Sequence, residues 1–163
     1  AVRLAGTWSS IDGGGPTMRR CDYDRSFIPA LDIPDSAAPP VTRTIDASAC
    51  GITRIEFVEV RFKATHTYAG DLRVELISPH GLVSFLANER VCNLNADSTA
   101  DSCGNYGDSV KTYDPLIPGS YWQFGSVRHM EEPAAGSWTL RVTDAQRDDT
   151  GTWDAWGLTI WGR

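Results

Sequence analysis

The sequence predicts an all-β sandwich, and three observations carry that reading. Apolar side chains recur with a period of two in most patterned stretches, as in a strand with one buried face. No stretch sets apolar residues three to four apart between helix caps. The alternating runs are short, and 15 Gly and 9 Pro in 163 residues punctuate them as turns. A chain of this length fits one domain and can bury a sizeable core.

The N-terminal segment opens with one predicted strand, Leu4 to Ile11, broken by Gly13-Gly14-Gly15-Pro16. Trp8 argues against a solvated linker there. Cys21 to Phe27 reads as another strand, and the stretch from Ile33-Pro34 to Pro39-Pro40 as extended chain that cannot be helical. Val41 to Ala47 alternates weakly. Ile52 to Ala64 is the longest β-rich run, but Ile55 and Phe57 share one parity while Val58, Val60 and Phe62 share the other. That phase change predicts a bulge between Phe57 and Val58, or a strand buried on both faces.

Leu72, Val74 and Leu76 then share a face, and Pro79 with Gly81 closes that strand before a partner from Leu82 to Leu86. Asn88 to Gly119 is a loop long enough to suggest function or insertion. Tyr121 to Val127 is a further strand, and Glu131 to Gly136 a turn. Trp138, Leu140 and Val142 define one late strand, and Trp156, Leu158 and Ile160 another. The polar run Ala145 to Thr152 between them is a long hairpin loop or an arch between two sheets.

A formal net charge of −6 disfavours nucleic acid or an anionic membrane as partner. No apolar run is long enough to span a bilayer, so no membrane insertion is expected. The chain opens on Ala1-Val2-Arg3 without a Met, the pattern expected of a mature or excised segment. Four cysteines allow three pairings, and none has metal-finger spacing. Cys92 and Cys103 flank a polar, turn-rich segment and are predicted to close it, with Cys21 bonded to Cys50. Each bond would contribute about 2–4 kcal/mol and imply an oxidising compartment.

Catalysis finds little support. No Gly-x-Ser-x-Gly elbow is present, and His66, His80 and His129 lack metal-ligand spacing. Ser126 and His129 are near in sequence, but local proximity is not a triad. Nothing singles out a carboxylate pair for glycoside hydrolysis. Calcium is the one cofactor the residues suggest, since hard cations take oxygen ligands from acidic loops. Asp71, Asp108 and Asp114 are the first candidates, and Asp144-x-x-x-Asp148-Asp149 is another acidic stretch. The plainer reading of such residues is turn formation. Among six tryptophans, Trp138 and Trp156 read as core. Trp122, Trp153 and Trp161 are candidates for a docking or ligand surface, either against a neighbouring domain or stacked on sugar rings.

The segments Thr65–Gly81, Gly136–Asp144 and Asp149–Gly162 carry a resemblance. Their Gly-Asp-Leu strand, Ser-Pro-x-Gly turn, Gly-x-Trp-Thr-Leu-x-Val-x-Asp and Trp-x-Leu-x-Ile-x-Gly occur in the order seen in the P domain. This domain, also called the Homo B domain, follows the catalytic domain of kexin- and furin-like proprotein convertases and many secreted bacterial subtilisin-like proteases. The resemblance covers roughly residues 35–163 and leaves 1–34 as an N-terminal extension packed on or wrapped around the sandwich. It implies a jelly-roll-like β-sandwich without catalytic residues. Its expected partner is the catalytic domain of the same polypeptide, which it helps to fold, stabilises, and can tune in calcium and pH dependence. It also implies a secreted or extracellular, bacterial protein, with structural calcium in some members. Two departures stand out: Ala69-Gly70-Asp71 replaces the Arg-Gly-Asp of some convertases, and His129-Met130-Glu131-Glu132 stands where Trp-Gly-Glu is common. The alternative expectation is an extracellular adhesive or carbohydrate-binding module.

Overall fold

A computed structural model describes residues 17–36, 38–66, 68–89 and 122–163. Among these, eight strands form two antiparallel sheets packed face to face. They are β1 (Arg19–Ile33), β2 (Val41–Asp46), β3 (Ile55–His66), β4 (Leu72–Ile77), β5 (Val83–Ala87), β6 (Trp122–Ser126), β7 (Ser137–Asp144) and β8 (Gly151–Gly162). One sheet has the order β1-β8-β3-β6, the other β2-β7-β4-β5. The helical content of the described residues is a single 3-10 turn, Ala69–Asp71. The all-β sandwich expected from the period-two pattern is the observed architecture.

The alternating residues build the core as their phase dictates. In the first sheet Val58, Val60 and Phe62 of β3 stand opposite Ile160, Leu158 and Trp156 of β8. In the second, Leu140 and Val142 of β7 stand opposite Leu76 and Val74 of β4. These side chains and Trp138 are almost fully buried between the sheets. Each such aliphatic or aromatic contributes about 1.5–3 kcal/mol relative to exposure. Trp138 satisfies its indole N–H on the Ala134 carbonyl at 2.8 Å, as a buried polar group must.

Several local features differ from or sharpen the sequence expectations. The irregularity in β3 falls between Ile55 and Phe57, earlier than predicted. Glu56 is the extra residue, so Ile55 stays inside and Phe57 turns outward, 37% exposed. The Phe57 ring then lies over Gly125 of β6, where a Cβ would stand 2.7 Å from it. The polar run after β7 is an arch, because β7 and β8 belong to different sheets. Residues 19–33 supply an edge strand, paired with β8 from Arg19↔Gly162 to Ile33↔Gly151 with a shift between Ser26 and Leu31. A Cys21–Cys50 disulfide, with Cα atoms 6.0 Å apart, ties that strand to the β2–β3 connection. The expected Cys92–Cys103 bond, the Leu4–Ile11 strand, Trp8 and most of the 88–119 loop lie outside the described residues.

One correction is required. Trp153, expected in a loop and on a surface, lies within β8 and is fully buried. Its ring packs against Phe27 and Phe62 at centroid separations of 5.3 and 5.8 Å, and its N–H donates to the Ala155 carbonyl. It cannot face a ligand or a docked domain.

Candidate functional site: an acid cluster at one end of the sandwich

Strand β3, 12 residues long, ends on His66. Its inward phase, set by Val58, Val60, Phe62 and Ala64, continues into His66, which is 1% exposed. Strand β7 does the same with Asp144, which continues the phase of Trp138, Leu140 and Val142 and is 2% exposed. The two meet between the sheets, with His66 Nε2 3.1 Å from Asp144 Oδ2. The other ring nitrogen, Nδ1, stands 2.8 Å from the Tyr68 carbonyl oxygen. Gly151 makes room for this ring, because a Cβ there would overlap His66 Cδ2 and the Thr65 carbonyl.

Asp71 sits beside this pair, since Leu72 is registered opposite Asp144. The Ala145 N–H closes the arch onto the Asp71 carbonyl at 2.9 Å, and the Gln146 N–H donates to Asp144 Oδ1 at 3.2 Å. The Asp71 residue is 6% exposed. Burial raises its carboxyl from an ordinary 3.8 to about 6, with Asp144 and Asp149 pushing the same way and His66 opposing them. A side-chain hydrogen bond with Asp149 of the arch adds to the rise. Two carboxyls in contact bond well only when one carries a proton.

This geometry is that of buried polar groups that satisfy one another. The His66–Asp144 pair is sealed, both side chains at 0% exposure. The Ser126–His129 pairing is not formed. Ser126 Oγ bonds Ser84 Oγ at 2.7 Å, while His129 faces Glu132. His80 is exposed in the turn after β4. Among the described residues no group of three or more His, Cys, Asp or Glu is arranged to hold a metal ion. Asp71 is engaged with Asp149, Asp144 with His66, and Asp108 and Asp114 lie outside the described residues.

The remaining aromatic candidates are only partly open. Trp122 is half-buried, stacked edge-on against Phe124 at 5.9 Å and tilted against Phe62 at 6.3 Å. Trp161 is half-buried beneath the Arg20 guanidinium, 4.9 Å from its ring centroid. Sequence reasoning does not assemble the His66–Asp71–Asp144–Asp149 cluster. The signal that points to it is polar residues that keep the buried phase at strand ends.

Two antiparallel sheets of this order define an all-β sandwich domain, with the His66–Asp144 pair sealed between them. The chain belongs to the proprotein convertase P-domain family, whose profile matches residues 55–160. It is 30% identical over 130 residues to leupeptin-inactivating enzyme 1 of Streptomyces exfoliatus, covering 80% of this chain and 24% of that protein. It is 31% identical over 128 residues to the transglutaminase-activating metalloprotease of Streptomyces mobaraensis, covering 78% of this chain and 14% of that one. A solved serine protease of Aeromonas sobria, in complex with a chaperone, shares the fold at a TM-score of 0.66 and 19% identity, over 91% of this chain and 27% of that chain. The chain thus spans about a quarter or less of the length of these two Streptomyces relatives. No helix among the described residues is long and apolar enough to cross a membrane.

Proposed function

We propose that this chain is the non-catalytic accessory domain of a secreted bacterial serine protease, and that it stabilises the catalytic domain of the same polypeptide. The observation that carries the reading is the P-domain match over residues 55–160, in a sandwich whose histidine–carboxylate pair is sealed from solvent. The Cys21–Cys50 disulfide supports secretion. The mechanism is mass action. A partner that binds only the folded catalytic domain stabilises it, and tethering raises its effective concentration to roughly millimolar.

The test is deletion of this domain from the parent protein. Loss of secretion, or a lower melting temperature of the catalytic domain, is the expected result. A parent that folds, secretes and melts unchanged would overturn the proposal. One relative is named a metalloprotease, so the serine class is tested separately, by inhibition of the parent with a serine-directed acylating reagent and not with a chelator of zinc.

A further inference from the structure

The end of the sandwich opposite the acid cluster buries an imidazole. His129 lies in the 127–136 turn and is 0% exposed. Its ring stands edge-to-face against Trp138, centroids 5.0 Å apart and planes at 80°. Nδ1 is 3.3 Å from Glu132 Oε2. Nε2 is buried and makes no hydrogen bond to the described residues. The turn is anchored by backbone bonds from Glu131 N–H to the Ile55 carbonyl, from Ile55 N–H to the Glu132 carbonyl and from Ala134 N–H to the Ile52 carbonyl.

Among the described residues, the charged groups that act on the ring are Glu132 and Arg128, both of its own turn. From the chain leading into β3, Arg54 is engaged by Glu131. From the end of β8, Arg163 is engaged by Glu56. Strand β7 contributes the Trp138 indole. A neutral imidazole fits this setting, with Nδ1–H donating to Glu132 and the buried Nε2 lone pair left idle among the described residues. A second proton would place a buried, charged N–H at Nε2 with no acceptor among the described residues, which is far costlier than an idle lone pair.

We propose that His129 is a pH-sensitive latch, holding the 127–136 turn onto the sandwich while its imidazole is neutral and loosening that end when it is protonated. Burial pushes the imidazole below its usual 6.5; Glu132 pulls it back up, and Arg128 adds to the depression. A depressed folded value means that the latch's stabilisation is present above 6.5 and is lost as pH falls through the folded value. The inference concerns the domain itself and stands whether or not a catalytic domain is attached.

The experiment compares thermal melts of the 163-residue chain at pH 7.5 and pH 5 with those of His129→Phe, which keeps an aromatic edge against Trp138 but cannot titrate. The native chain should lose on the order of 2–4 °C more than the variant on acidification. Equal pH responses would overturn the proposal. A nitrogen-detected NMR titration of the native imidazole decides the matter even if the variant fails to fold. A neutral Nδ1–H form that persists below its usual pKa supports the latch, and a midpoint at or above 6.5 overturns it.

Discussion

Replacing Asp71 with Asn should stabilise the domain at pH 8 and do little at pH 4. The Asp71 carboxyl is nearly buried and its raised value means that folding favours the protonated acid. The associated stability is fully present below 3.8 and is lost as pH rises through about 6. At 1.36 kcal/mol per pKa unit, the ionised form costs the fold on the order of 3 kcal/mol above pH 6. The introduced amide carries no charge and can donate to Asp149, but it is an imperfect substitute for a carboxyl, so about 1 kcal/mol is returned. The net gain at pH 8 is roughly 2 kcal/mol, which in a domain of this size is on the order of 4–8 °C in melting temperature. The assay is urea and thermal unfolding at pH 4 and pH 8, with chelator and with millimolar calcium. An Asp71→Asn variant less stable than the native chain at pH 8 in chelator would refute the reasoning. A calcium-dependent rise in the native chain that the variant lacks would refute it too, and would make Asp71 a cation ligand.

Two further substitutions test the frame around the cluster and the edge strand. Gly151→Ala drives a methyl into His66 and the Thr65 carbonyl; a loss of about 1–3 kcal/mol by urea unfolding is expected, and a neutral result would show that the ring does not occupy that space. Replacing Cys21 and Cys50 together by Ser opens a crosslink of sequence separation 29, which should cost roughly 3–4 kcal/mol. Amide exchange should rise first along β1, and uniform acceleration would refute the idea that the bond chiefly pins that edge.

The sheets are legible in the sequence because the buried phase is continuous within β7 and within the later half of β3 and β8. The phase fails where a strand gains a residue, and there alternation misleads. Trp153 and Trp156 are both buried, although an odd spacing of three should put them on opposite faces. The register passes from Lys63↔Ala155 to Ala64↔Trp153, so Asp154 is the extra residue that restores the inward direction. Nothing in Gly151-Thr152-Trp153-Asp154 announces this, because the bulge is set by pairing with β1 and β3 on both sides. The acid cluster is half legible. His66 and Asp144 sit in phase with apolar neighbours, which marks them as buried polar groups in need of partners. Their contact joins residues 78 apart across two sheets, and alternation within one strand carries no information about the strand it faces.

Asp71 and His129 act in opposite directions. Acidification from pH 7.5 to pH 5 stabilises the fold through Asp71, whose value is raised, and destabilises it through His129, whose value is lowered. The native profile in that window is therefore shallower than either group alone would make it. Relative to the native chain, Asp71→Asn should tilt toward acid lability and His129→Phe toward acid stability. The groups lie at opposite ends of β3, whose 12 residues span roughly 35–40 Å at about 3.3 Å each. At that distance their effects should add within about 0.5 kcal/mol. The double variant's change in unfolding free energy between the two pH values should thus equal the sum of the single-variant changes minus the native one. A larger discrepancy would mean that protonation at one end is felt at the other. Strand β3, which His66 ends and whose first residue, Ile55, bonds the 127–136 turn, would then be the element to examine for the coupling.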